Sequence, residues 1–124
     1  MYLDTHVVAW LYAGKVGLFP RRAVRELDRQ ELLVSPMVVL ELQYLFELQR
    51  VTEPASEVVG DLQRRVGLRI CQHPFPEVAQ AALDQTWTRD PFDRIIVAQA
   101  SLESQPLLTK DAKIRDHYAK ATWD

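Results

Sequence analysis

The sequence predicts an α/β domain built on a mainly parallel sheet of about five strands. Two patterns lead there: short apolar runs alternate with stretches of helical periodicity, and Pro or Gly punctuates the passages between them. The composition agrees, with 124 residues, 48% hydrophobic and 26% charged, which suits one globular domain spanning 1–124.

Met1 to Leu3 makes a short first strand, and Thr5 to Ala13 is helical until Gly14 and Gly17 break the pattern. Pro20 opens a second helix to about Gln30, and Leu32 to Val34 is the second strand. Pro36 then stands in the first turn of a long helix to about Arg50, where its missing N–H costs nothing. Pro54 starts a fourth helix to about Val66, followed by the strand Leu68 to Cys71. The Ala-rich segment Glu77 to Gln85 is helical and Trp87 to Asp90 is a loop. Pro91 opens a helix that buries Ile95 to Ala98. Leu107 to Thr109 is the fourth strand, Asp111 to Tyr118 a short helix, and Thr122 with Trp123 an edge strand.

No apolar run reaches the roughly 18 residues that cross a bilayer, and the first residues lack the charged and apolar regions of a signal peptide. A cytoplasmic location is expected. Cys71 is the only cysteine, so an internal disulfide and a multi-thiolate zinc site are excluded. Its apolar surroundings make it a small buried hydrophobe in a strand. The net charge of -2 is unusual for a protein that meets nucleic acid. Removing four acids from the 17 leaves 13 against 15 bases, a balance of +2.

Those four are Asp4, Glu41, Asp93 and Asp111. Asp4 and Asp111 each follow a strand, and in a parallel sheet that places both at the carboxyl edge, where such folds bind ligands. Either alone also fits a helix N-cap. Glu41 is more telling, because its helical neighbours at three and four residues are Met37, Val38, Tyr44 and Leu45. An acid on an apolar face loses hydration and calls for a partner, an Arg or a cation. Asp93 repeats the anomaly, with Ile96 and Val97 at its helical spacing. Asp90, just before Pro91, is a helix cap that also reaches the same cleft.

Four oxygen donors without clustered His or Cys point to a hard cation, magnesium or manganese. Phosphodiester hydrolysis by metal-activated water is the chemistry that such a site supports. Thr5 and Thr109 each adjoin a site acid and are placed to orient a carboxylate or a water. Arg94 is placed to steady a phosphate or to pair with Asp90. His6 reads as packing or as support for Asp4. Arg21, Arg25 and Arg29 form a stripe that suits RNA or partner contact but also suits a solvated face. Trp10, Tyr44 and Phe46 have the spacing of a core or dimer face.

These residues, in this order, resemble the PIN-domain ribonucleases, specifically the VapC toxins of toxin–antitoxin pairs. The likeness spans essentially the whole chain. It rests on Leu3-Asp4-Thr5-His6 with Trp10, on the helical Glu41, on Asp90-Pro91-Phe92-Asp93-Arg94 followed by Ile95 to Ala100, and on Leu108-Thr109-Lys110-Asp111. The Asp90 to Arg94 segment is the most specific, and the first strand is clipped to three residues before Asp4. The resemblance implies a three-layer α/β/α sandwich and an acidic quartet, Asp4, Glu41, Asp93 and Asp111, holding one or two Mg2+ or Mn2+ ions. Asp4 and Asp93 would be the central ligands. It further implies endonuclease action on RNA, homodimerisation, and inhibition by a VapB-like antitoxin.

A receiver-type phospho-signalling domain shares this length and fold class. It needs a paired acid after the first strand and a phosphoacceptor after a central one, whereas Asp4 has no acidic neighbour and the third strand runs into Cys71-Gln72-His73-Pro74. A haloacid-dehalogenase-like phosphatase needs a second Asp where His6 stands. A non-catalytic PIN-like binding module is the third alternative, against which stands the retention of all four acids.

Overall fold

Why the chain folds as it does starts with its shortest elements. The structure, a computed structural model that describes residues 1–124, contains five two-residue strands. They are β1 (Tyr2–Leu3), β2 (Leu33–Val34), β3 (Arg69–Ile70), β4 (Leu107–Leu108) and β5 (Ala121–Thr122). All pair in parallel, in the order β3-β2-β1-β4-β5. The central pair is fully buried: Tyr2, Leu3, Leu107 and Leu108 have no exposed surface. A strand closed in on both faces must be apolar throughout, and these four residues are.

Seven helices join the strands: α1 (Thr5–Tyr12), α2 (Arg21–Arg29), α3 (Pro36–Glu47), α4 (Ala55–Val66), α5 (Phe75–Ala82), α6 (Pro91–Leu102) and α7 (Ala112–His117). With the right-handed crossovers that parallel strands adopt, this order puts the helices between β1, β2 and β3 on one face and those leading to β4 and β5 on the other. Val7, Val8, Val38, Leu42, Leu62, Ile96, Val97 and Ile114 pack with the strands in one core. No helix is long and apolar enough to cross a membrane.

Side chains cap four of the helices. Asp4, Ser35, Asp90 and Asp111 each accept a hydrogen bond from a free N–H at the start of α1, α3, α6 and α7. Helix α3 stops at Glu47, three residues short of the expected end, because the chain turns over at Gln49 with φ of 61°. Arg50 N–H then bonds Leu45 O and Gln49 N–H bonds Phe46 O, which satisfies the last carbonyls in a Schellman arrangement. Helix α5 starts at Phe75, two residues earlier than expected, because Pro76 falls in the first turn. A 3-10 turn at Val16–Leu18 was not foreseen. Cys71 is buried as expected but lies just past the end of β3, not within it.

The strand order fixes where a ligand can sit. From β1 the chain builds outward through β2 and β3, then crosses to the other side of β1 to add β4 and β5. Between β1 and β4 the connections diverge, and the carboxyl ends of such a pair are where folds of this class form a ligand crevice.

Candidate active site

Asp4 and Asp111 follow the two strands that flank this crevice. Asp4 is 4% exposed and its carboxylate is held from two directions. Thr5 N–H donates to Oδ1 at 2.8 Å, and the Thr109 hydroxyl donates to Oδ2 at 2.7 Å. The same Thr109 hydroxyl accepts from Asp111 N–H at 3.0 Å, and Asp111 Oδ1 accepts from Ile114 N–H at 2.9 Å. The capping role and the site role therefore coexist, since each carboxylate has a second oxygen.

Glu41 comes from the second turn of α3. It is half-buried and accepts a hydrogen bond from the Thr5 hydroxyl. Burial raises its pKa above the usual carboxylate range; the Thr5 bond works the other way, while the charges of Asp4 and Asp90 add to the rise. Asp93 sits in the first turn of α6. Burial pushes its pKa up to about 7, reinforced by Asp4, Asp90, Asp111 and Glu41, and no hydrogen bond offsets the rise. Asp90 Oδ1 caps α6 through Phe92 N–H at 2.8 Å and Asp93 N–H at 3.2 Å.

The structure thus brings Asp4, Glu41 and Asp111, with Asp90 at the rim, within electrostatic range of Asp93. No three of them close on one point as a finished coordination shell. A hard divalent cation that keeps several waters takes few carboxylates directly and does not require such a closed shell. Five like charges around a partly desolvated cleft favour a compensating cation, so the donor set fits a divalent ion.

Thr5 and Thr109 each hold one of these carboxylates. Arg94 does not pair with Asp90. Its guanidinium donates to Ala82 O at 3.1 and 3.2 Å and to Leu83 O at 3.3 Å, tying down the C-terminal carbonyls of α5. Helical periodicity places a residue on a face but does not name its partner. Arg21, Arg25 and Arg29 are exposed, and Arg29 lies 3.8 Å from Glu26. Trp10 joins an aromatic cluster with His6, Phe19 and Trp123. Tyr44 is 49% exposed beside Phe92, so it is not a core residue.

Nothing in the sequence pointed to the partner of His6. Its Nε2 accepts from Lys110 N–H at 2.9 Å, although 104 positions separate the two residues. Its Nδ1 lies 3.6 Å from Asp4 Oδ2. Burial lowers the imidazole's pKa against the opposing pull of Asp4 and Asp111.

Fold and site together define a parallel α/β protein with an acidic cleft at its topological switch point. The PIN domain model matches residues 1–120. The chain is 32% identical over 123 residues to Ribonuclease VapC22 of Mycobacterium tuberculosis (strain ATCC 25618 / H37Rv), with 93% of this chain and 89% of that protein covered. The crystal structure of VapBC2 from Rickettsia felis, bound to a DNA fragment from their promoter, superposes with a TM-score of 0.66. It covers 99% of this chain and 98% of that one at 16% identity, a likeness of fold. The chain belongs to the PIN domain family.

Proposed function

We propose that this chain is a divalent-metal-dependent endoribonuclease and the toxin of a toxin–antitoxin pair, a single PIN-like domain over 1–124 acting in the cytoplasm. The relative named Ribonuclease VapC22 supports the ribonuclease reading, and the VapBC2 neighbour supports a VapB-like antitoxin as partner. A homodimer is the proposed assembly. The single observation that carries the site is Asp93, whose carboxyl burial pushes up to about 7, with four other acids adding to the rise.

Asp4, Glu41, Asp93 and Asp111 would hold one or two Mg2+ or Mn2+ ions. When bound, such a cation would supply Lewis acidity toward the phosphodiester and toward the water that attacks it. The chain's own contribution is positioning. Thr109 and Thr5 N–H fix Asp4, and the Thr5 hydroxyl fixes Glu41. Helices α1, α6 and α7 direct their N-termini at Asp4, Asp93 and Asp111, which moderates the cost of gathering negative charge.

Incubation of the purified protein with total RNA tests this reading. Cleavage is expected with magnesium or manganese, not with a chelator, and not by the Asp93→Asn variant. Cleavage that ignores the chelator would refute the metal role, and cleavage by Asp93→Asn would refute the site.

A further inference from the structure

The segment that carries Thr109 and Asp111 between β4 and α7 is short, and Lys110 is its only residue outside both elements and the site. Lys110 is exposed, and its side chain extends over the Trp10 ring, 5.7 Å from the centroid. Its backbone N–H turns inward and finds an acceptor not in the backbone but in the His6 ring, at 2.9 Å. A backbone N–H is a donor whatever the ring does, so Nε2 must present a lone pair. The proton of the neutral ring then resides on Nδ1, facing Asp4 Oδ2 at 3.6 Å, too long for a hydrogen bond but favourable in sign. Trp10 meets the ring edge-on at 5.1 Å and Trp123 at 6.2 Å, which restrains rotation of the imidazole.

We infer that His6 is a positioning residue: by accepting from Lys110 N–H it fixes the segment whose Thr109 hydroxyl holds both Asp4 and Asp111. The chain of contacts is continuous. His6 anchors Lys110, the adjacent Thr109 donates to Asp4 Oδ2 and accepts from Asp111 N–H, and Asp111 in turn caps α7. Two carboxylates from distant parts of the sequence are set relative to each other by one imidazole acceptor. The effect on cleavage rests on the proposed ribonuclease reading, while the effect on the segment does not.

Three variants separate the roles of the ring. His6→Gln keeps an acceptor at the reach of Nε2. His6→Asn keeps a donor near Asp4 but is too short for Lys110. His6→Phe keeps the aromatic packing and loses both polar contacts. In the wild type, nitrogen NMR of the imidazole should show Nδ1 protonated and Nε2 bare. Exchange of the Lys110 amide should accelerate at least about tenfold in His6→Phe and His6→Asn and change little in His6→Gln. Mn2+ affinity should follow the same order, weakening about tenfold in the first two, the lower end of what loss of a supporting contact costs a metal site. Cleavage should lose kcat with KM for RNA unchanged.

A proton on Nε2 in the wild type, or unaltered Lys110 exchange in His6→Phe, would overturn the inference. So would a His6→Gln variant as impaired as His6→Phe, because the ring would then matter only for packing. If the wild type neither binds Mn2+ nor cuts RNA, the ribonuclease reading fails by itself. The amide exchange of the Gln and Phe variants then still decides the role of His6.

Discussion

The hydroxyl of Thr109 donates to Oδ2 of Asp4 at 2.7 Å, joining residues 105 positions apart at the point where the sheet changes direction. Both groups are buried, and Thr109 also receives the N–H of Asp111. Thr109→Val preserves shape and β-branching but strands both partners. It should destabilise the fold by about 1–3 kcal/mol, the cost of leaving buried polar groups unpaired. Thr109→Ser should recover most of that loss. Urea unfolding midpoints of the two variants check this, and equal midpoints for Val and wild type would contradict it.

Asp93→Asn should leave the cation-free protein at least as stable as wild type at pH 7 or above. It removes one of five mutually repelling charges, and no hydrogen bond to its carboxylate is lost. RNA cleavage should fall at least about a hundredfold, beyond the range typical of residues that merely support a ligand. Thermal melts with chelator and a cleavage assay with magnesium, run on the same preparation, test the two halves together.

Asp93 should lower the stability of the cation-free protein as pH rises between about 4 and about 7. Asp93 keeps its proton up to about 7 in the folded state, whereas the unfolded chain releases it near pH 4. Over that window the folded state binds more protons, so by linkage raising the pH favours unfolding, with no further change from this group above its folded pKa. Glu41, also raised, contributes with the same sign, whereas His6, whose pKa burial lowers, contributes with the opposite one. Asp93→Asn should flatten most of the slope. Melting temperatures of wild type and Asp93→Asn at pH 5, 6, 7 and 8 in chelator measure it, and a difference between the two that does not shift toward the variant as pH rises would count against the crowded-acid description.

Arg94→Ala should destabilise the protein by about 1.5–3 kcal/mol, the range for hydrogen bonds to a charged group, because Leu83 O loses the guanidinium and Ala82 O keeps only the Gln85 N–H. Its dependence of cleavage on magnesium concentration should match wild type. A large rise in the magnesium requirement with an unchanged melting temperature would instead place Arg94 in the site.

What the sequence revealed follows from what kind of physical signal each residue leaves. Glu41 and Asp93 were legible because an acid at helical spacing from Met37, Val38, Ile96 and Val97 contradicts the pattern around it. Asp4 and Asp111 were legible as strand-end acids, and their parallel-sheet context told which edge they share. The five strands were readable from apolar runs, although each pairs over only two residues. Contacts between distant segments left no local trace. Nothing near His6 announces the Lys110 amide, and nothing near Arg94 announces the carbonyls of α5. The early stop of α3 was hidden because Gln49, not Gly, takes the left-handed position at its end.

Calorimetric titration of Mn2+ into the cation-free protein at pH 7, repeated in two buffers of different ionisation enthalpy, tests the acidic cleft most directly. Wild type should bind one or two ions and release protons as it does so, because Asp93 is about half-protonated there. Asp93→Asn should bind at least about tenfold more weakly with less proton release. Equal affinity for the two proteins, or binding by neither, would contradict the account.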